Sequence, residues 1–221
     1  MSLQRHSVDF KKLSLETLDR WRGIPTSIAT DCMNRTQFMS SAIKPLKSGL
    51  SLVGQARTVT GMVGDNSISH AAIALAEEGE VLVIDAGGYE NVAIWGEIMT
   101  HAAMARGIAG VVIDGANRDT DEIKKLNFPL YSRAQVPSGP HKNFGGIIDG
   151  LISCGGCPVK PGDLIVGDDD GVVVVPLELE TKIFVESEKK QRQEDDILKE
   201  IAKGKTTFEL LNISDIELIN N

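Results

Sequence analysis

The chain has 221 residues, 42% hydrophobic and 24% charged, which describes a folded domain with its own core and excludes a disordered or fibrous polymer. Its 23 Lys and Arg stand against 31 Asp and Glu, a net charge of −8, the wrong sign for a surface that neutralises phosphates, so direct nucleic-acid binding is disfavoured. No apolar run approaches the roughly 20 residues of a bilayer span, MSLQRHSVDFKK lacks a signal-peptide core, and the odd count of three cysteines fits a reducing compartment, so the expectation is a cytoplasmic protein with free thiols and no membrane partner.

In chain order, Leu13 to Arg22 places Leu13, Leu15, Leu18 and Trp21 near one helical stripe, with Ser14 as N-cap and Gly23-Ile-Pro25 as the stop. Residues 26–34 read as a second short helix, and Val53 to Val63 as a β-rich run. Ser67 to Glu78 is an Ala-rich helix ended by Gly79, followed by the apolar strand Glu80 to Asp85. The same grammar recurs in the helix Glu97 to Arg106, Gly107 and the strand Ala109 to Asp114. Continuous apolar runs alternating with helices through short glycine junctions imply parallel strands covered by helices, an α/β fold. Asp121 to Leu126 is a shorter helix, and Leu130 to Arg133 a strand. From Val136 to Val175 short strands alternate with Pro, Gly and Asp clusters, ending in a hairpin-like signal with Gly171 at the turn. Residues 177–203 form a long charged helix with a thin apolar stripe at Leu179, Ile183, Ile197 and Ile201, suited to docking on a neighbouring subunit or to solvation. No linker divides the chain, so residues 1–221 are read as one domain.

Ligands in open α/β sheets gather at the carboxyl ends of strands and the amino ends of the helices that follow. Two loops meet that description. Gly87 to Met99 runs from a strand end into a helix, where the free amides of Gly96, Glu97, Ile98 and Met99 and the helix dipole favour an anion such as a carboxylate; a plain turn is the alternative. Asp114 to Glu122 gathers the Arg118 guanidinium with several carboxylates. That set suits a hydrated divalent cation, with Asp119 as direct ligand and Glu97 or Glu122 acting through water, beside a cation that binds an oxyanion. A surface salt-bridge loop with Asp119 or Thr120 as N-cap is the competing reading.

Glu97, Arg118, Asp119 and Glu122 together make the pattern E-x20-R-D-x2-E. This resembles the signature of the RraA-like family of class II pyruvate aldolases, typified by 4-hydroxy-4-methyl-2-oxoglutarate aldolase, whose usual form has Asp where Glu97 stands. The resemblance extends over Gly61 to Asn66, Trp95-Gly-Glu with HAAMARGIAGVVIDGANRD, and Val159 to Pro176. It implies a swivelling β/β/α domain assembled as a homotrimer or hexamer. It also implies that the amides of residues 96–99 hold the carboxylate of a small 2-oxo acid, that Arg118 stabilises the developing enolate, and that Asp119 ligates Mg²⁺ or Mn²⁺. Glu97 joins Arg118 and Asp119 in the catalytic set, its extra methylene altering reach toward the water shell. The family's acid from a neighbouring subunit's C-terminal region is not assigned among Glu186, Glu188 and Glu194. Other relatives regulate ribonuclease E by binding without catalysis, and those typically lack the acid that directly follows the loop arginine, which here is Asp119.

Three further signals carry less. Cys154-Gly-Gly-Cys157 has no second pair to complete a zinc site, Asp168-Asp-Asp-Gly171 lacks the distal Glu of a calcium loop, and His70 and His101 read as helix histidines, His101 one turn after Glu97.

Overall fold

A computed structural model of the chain describes residues 2–211, 213, 214, 216, 217 and 219. After a short strand β1 (Leu3–Arg5) come two helices, α1 (Leu15–Trp21) and α2 (Thr26–Cys32). Ser14 caps α1 as its sequence position predicts, its Oγ accepting from Thr17 N at 3.1 Å. The two-residue β2 (Lys44–Pro45) and the long β3 (Leu52–Gly61) lead into the alternating region: α3 (Ser67–Leu75), β4 (Val81–Trp95), α4 (Glu97–Ala105), β5 (Gly110–Asn117), α5 (Thr120–Leu126) and β6 (Leu130–Gln135). Short strands follow as β7 (Gly146–Ile148), β8 (Ile152–Cys154), β9 (Cys157–Val159), β10 (Leu164–Gly167) and β11 (Val172–Val175). The chain then enters the long α6 (Glu180–Ala202) and a final turn of helix, α7 (Thr207–Leu210).

Strands β3, β4, β5 and β6 pair in parallel and form the middle of a nine-stranded sheet ordered β1-β7-β3-β4-β5-β6-β2, with β10 and β11 branching from β3. The expected α/β architecture with parallel strands, covering helices, a β-rich part and a long C-terminal helix is therefore present. Strand periodicity explains why the central runs are apolar throughout. Leu82, Ile84, Val111 and Ile113 point into a core shared with Ile68, Ile73, Met99 and Ile123 of the helices. Their neighbours Val81, Val83 and Val112 enter a second core with Leu52, Tyr131, Ile165 and Val174. A third core joins Trp21, Val53, Leu164 and Val175 to Ile183 and Phe184 of α6.

Several boundaries differ from the sequence reading for local reasons. Helix α3 stops at Leu75 because the Glu80 carboxylate takes the Glu77 amide at 3.0 Å and turns the chain early. The Gly87–Trp95 stretch read as a loop is instead a bulged continuation of β4, with register shifts between Asp85 and Trp95 and left-handed Gly87 and Gly88 at φ 67°. Helix α6 begins at Glu180, and its first turns pack on the chain's own α1: Trp21 Nε1 donates to Glu180 Oε1 at 2.7 Å, and the Trp21 and Phe184 rings meet edge-on at 5.4 Å. Cys154 and Cys157 oppose each other across the β8–β9 hairpin as free buried thiols, with burial pushing Cys157 up to about 12.

Candidate active site

The carboxyl ends of β4 and β5 lie side by side, Trp95 registered against Asn117, so the chain leaves both strands at one place. There α4 begins after Gly96 and α5 after Asp119. The exit from β5 is sharp because Asp119 adopts a left-handed backbone, φ 59° and ψ 37°, a conformation that Asp tolerates better than most residues. Although it occupies the N-cap position of α5, its side chain makes no cap there. Its Oδ2 instead accepts the Glu97 amide at 3.0 Å, tying the start of α4 to the end of β5. Arg118 Nε lies 3.6 Å from the same oxygen, and the Arg118 amide donates to Trp95 O at 2.9 Å.

Gly96 makes this junction possible by size, since a Cβ there would come within 2.4 Å of Asp119 Oδ2 and 3.3 Å of Arg118 Cγ. Its carbonyl is fixed by Thr100, whose Oγ1 donates to Gly96 O at 3.1 Å while accepting from Trp95 Nε1 at 2.9 Å. Among the described residues, the amides of Ile98 and Met99 have no backbone acceptor, as expected in the first turn of a helix.

These groups line a cavity of about 160 Å³ whose walls include Gly96, Met99, Arg118 and Asp119. Opposite them stand Asn66, His70 and Lys142, which were not assigned to the site from sequence. Asn66 is 4% exposed; its Nδ2 donates to Ile94 O at 3.1 Å and to Met99 Sδ at 3.2 Å, and its Oδ1 is buried without a partner among the described residues. Burial, with the Lys142 charge adding to it, lowers the His70 pKa and favours the neutral ring. A signal for Asn66 and His70 existed, since Asn66 ends the Gly61–Asn66 segment as the N-cap of α3 and His70 stands about one turn further along that helix. Lys142 carried none, because it lies in irregular chain far along the sequence.

Of the other predicted residues, Ile98 lines the cavity but is 79% exposed, and Glu97 contributes its amide to the Asp119 contact while its side chain sits 3.7 Å from His101 Nε2 outside the cavity lining. Glu122 is not brought to the cavity; its Oε1 accepts from Lys125 at 2.7 Å. The three C-terminal acids are engaged locally, Glu186 with Lys182, Glu188 with Arg20 and Glu194 with Lys190, at 3.6–3.9 Å. No group of three or more His, Cys, Asp or Glu side chains converges on a metal position among the described residues. Asp119 and Glu97, with side chains 39% and 42% exposed, fit a hard cation that keeps most of its waters and do not fit a closed dehydrated cage.

A larger recess of about 430 Å³ lies between the start of α2 and the β10–β11 turn, but two of its three acids hold the fold together. Asp168 accepts Thr26 N at 2.9 Å and Thr26 Oγ1 at 2.7 Å, and Asp169 accepts Gly49 N at 2.9 Å. The cavity at the β4 and β5 ends gathers an arginine, a carboxylate and helix amides without a backbone acceptor.

The chain is thus an α/β domain whose mixed sheet sets an arginine–aspartate pair beside a helix N-terminus, an arrangement suited to a small anion. The model of the RraA-like family, described as Aldolase/RraA, matches residues 26–174, and the chain belongs to that family. A protein of Halalkalibacterium halodurans, named provisionally as a 4-hydroxy-4-methyl-2-oxoglutarate aldolase, is 41% identical over 82% of this chain and 86% of its own. Among solved structures, an uncharacterized protein from Pseudomonas syringae superposes with a TM-score of 0.79 at 29% identity, covering 89% of this chain and 97% of that one. The RNA-processing inhibitor RraA from Thermus thermophilus superposes with a TM-score of 0.64 at 28% identity, covering 69% and 92%.

Proposed function

We propose that the protein is a class II pyruvate aldolase, a lyase that cleaves a 4-hydroxy-2-oxo acid such as 4-hydroxy-4-methyl-2-oxoglutarate into pyruvate and a second carbonyl compound. In that reaction the bond between C3 and C4 breaks, its electron pair passes to the C2 carbonyl oxygen as an enolate, and the C4 hydroxyl loses its proton as the new carbonyl forms. Protonation at C3 then releases pyruvate. Loss of CO₂ from oxaloacetate gives the same enolate, so oxaloacetate decarboxylation is the companion activity.

The observation that carries this reading is the convergence of Arg118, Asp119 and the first amides of α4 on one small cavity. The amides of Ile98 and Met99 suit the substrate carboxylate, aided by the helix dipole. The Arg118 guanidinium suits the C2 oxygen, where charge develops, and so favours the transition state over the ground state. A divalent cation such as Mg²⁺ or Mn²⁺, held by Asp119 and through water by Glu97, would supply further positive charge toward the enolate oxygen. No lysine is needed as a covalent electron sink.

Self-association as a homotrimer or hexamer belongs to the same proposal, supported by the bare Ile98 side chain at the cavity and by the half-exposed Leu198 and Ile201 late in α6. With no helix among the described residues long and apolar enough to cross a membrane, a cytoplasmic site of action fits this reading. A second reading is a protein that regulates ribonuclease E by binding without catalysis; the name of the Thermus thermophilus neighbour, an RNA-processing inhibitor, fits it. Asp119 directly after Arg118 favours the enzyme. The test is pyruvate release by the Asp119→Ala and Arg118→Ala variants: the first is expected to abolish cation-dependent turnover and the second to lose on the order of 10²–10³ in kcat. Full activity in Asp119→Ala overturns the site assignment.

A further inference from the structure

Part of the cavity wall is irregular chain, the stretch 137–145 between β6 and β7, which carries only an isolated bridge between Asp65 and His141 and no extended ladder. It is nonetheless pinned at many points to Gly64–Ser67, and the pins converge on one buried carboxylate. Asp65 is 3% exposed and faces no salt-bridge partner among the described residues. Its Oδ2 accepts the amides of Asn143 at 2.7 Å and Phe144 at 3.2 Å, while its Oδ1 accepts the Ser67 amide at 2.9 Å and the Ser67 hydroxyl. The same hydroxyl accepts the Gly145 amide at 3.2 Å. Backbone bonds complete the clamp: His141 N to Gly64 O at 2.8 Å, Asn66 N to His141 O at 3.0 Å, and Ala93 N to Ser138 O at 2.9 Å.

A buried carboxylate without a counter-charge is expensive unless donors surround it, and here the donors come mostly from backbone amides that would otherwise be orphaned. The clamped stretch delivers Pro140 and Lys142 to the cavity. It also sets Gly139 against the guanidinium of Arg118, where an added Cβ would come within 2.6 Å of Nη1. Asp65 itself does not line the cavity, yet the residue after it, Asn66, does.

We propose that Asp65 is a positioning residue of this site: its carboxylate holds residues 138–145 so that Lys142 faces the cavity and Gly139 backs Arg118, and substrate affinity depends on that clamp. The proposal rests on the reading of the cavity as a 2-oxo acid site. It places a determinant of affinity at a residue that touches no substrate and acts through a loop.

The test compares wild type with Asp65→Asn, which keeps the volume but turns one acceptor into a donor facing donors, and with the milder Ser67→Ala, which keeps the fold if Asp65→Asn does not. Three quantities are measured: amide hydrogen exchange of residues 138–145 without ligand, affinity for oxalate as a planar dianion resembling the enolate, and KM against kcat for oxaloacetate. The variants are expected to exchange faster in 138–145 but not in β5, to bind oxalate on the order of tenfold more weakly, and to raise KM with kcat little changed. Lys142→Ala should weaken oxalate similarly, and the double variant Asp65→Asn/Lys142→Ala should be little worse than either single one. Faster exchange with unchanged oxalate affinity and KM overturns the positioning role alone. If wild type neither binds oxalate nor turns over a 2-oxo acid, the proposed function fails and this inference with it. Multiplying effects of Asp65→Asn and Lys142→Ala also overturn it.

Discussion

The narrowest constraint in the site is the space beside Gly96. Its backbone is extended, so conformation does not demand glycine there; the 2.4 Å approach of a Cβ to Asp119 Oδ2 does. Gly96→Ala is therefore expected to displace the Asp119 carboxylate and cost on the order of 10² in turnover, with a melting temperature close to wild type, as measured by the pyruvate assay beside thermal melts. Cys154, buried at the far hairpin, has no such part, and Cys154→Ser should leave turnover unchanged. Two buried acids contribute to the response to low pH. Burial alone would raise the carboxyls of Asp65 and Glu80, but hydrogen bonds from Ser67, Asn143 and Phe144 in one case and from Arg57, Lys12 and Glu77 in the other hold both below their ordinary values. A depressed folded value means that the stabilisation is complete above the unfolded value, roughly pH 4–4.5, and is lost as pH falls through the folded one. Asp163, raised by burial, runs the opposite way and offsets part of it. Thermal melts between neutral pH and pH 3 should show Asp65→Asn and Glu80→Gln each flattening the acid-side loss of stability; an unchanged slope contradicts the assignment.

At the scale of elements, charge stitches the N-terminal segment to the sheet. Arg57 of β3, 3% exposed, donates Nε to Glu80 at 2.7 Å and Nη1 to Asp149 at 2.8 Å. Arg5 of β1 and Lys12 reach the same two acids at 2.7 and 2.6 Å. Arg57→Met would strand two buried carboxylates beside half-exposed partners, and a loss of about 3–5 kcal/mol is expected in denaturant unfolding. A loss below about 1 kcal/mol would show that Arg5 and Lys12 suffice. The elements also show what sequence could and could not reveal. The helices were legible from their period and the central strands as continuous apolar runs, because both sheet faces are covered: Leu82 and Ile84 enter one core, Val81 and Val83 another. Arg118 and Asp119 were legible because they stand adjacent at a strand end. The continuation of β4 through Gly87–Trp95 was not, since bulges break the alternation of side chains. Nor were Lys142 and the Asp65 clamp, which depend on a contact between residues 78 apart. Contacts of that kind are fixed by the fold and leave no trace in spacing.

For the molecule as a whole, the parallel strands serve to bring two strand ends together, and nearly everything assigned to the site follows from that adjacency. Against a net charge of −8, the pairing of Arg118 and Lys142 on one small cavity stands out as a destination for a small anion. The central claim is that this pocket stabilises a pyruvate enolate with the help of a divalent cation. It is tested most directly by pyruvate release, followed with coupled lactate dehydrogenase, from oxaloacetate and from 4-hydroxy-4-methyl-2-oxoglutarate, first with Mg²⁺ and then with EDTA. Turnover that EDTA removes and Mg²⁺ restores is the predicted result. Turnover indifferent to EDTA, or no pyruvate from either acid by folded protein, would contradict it.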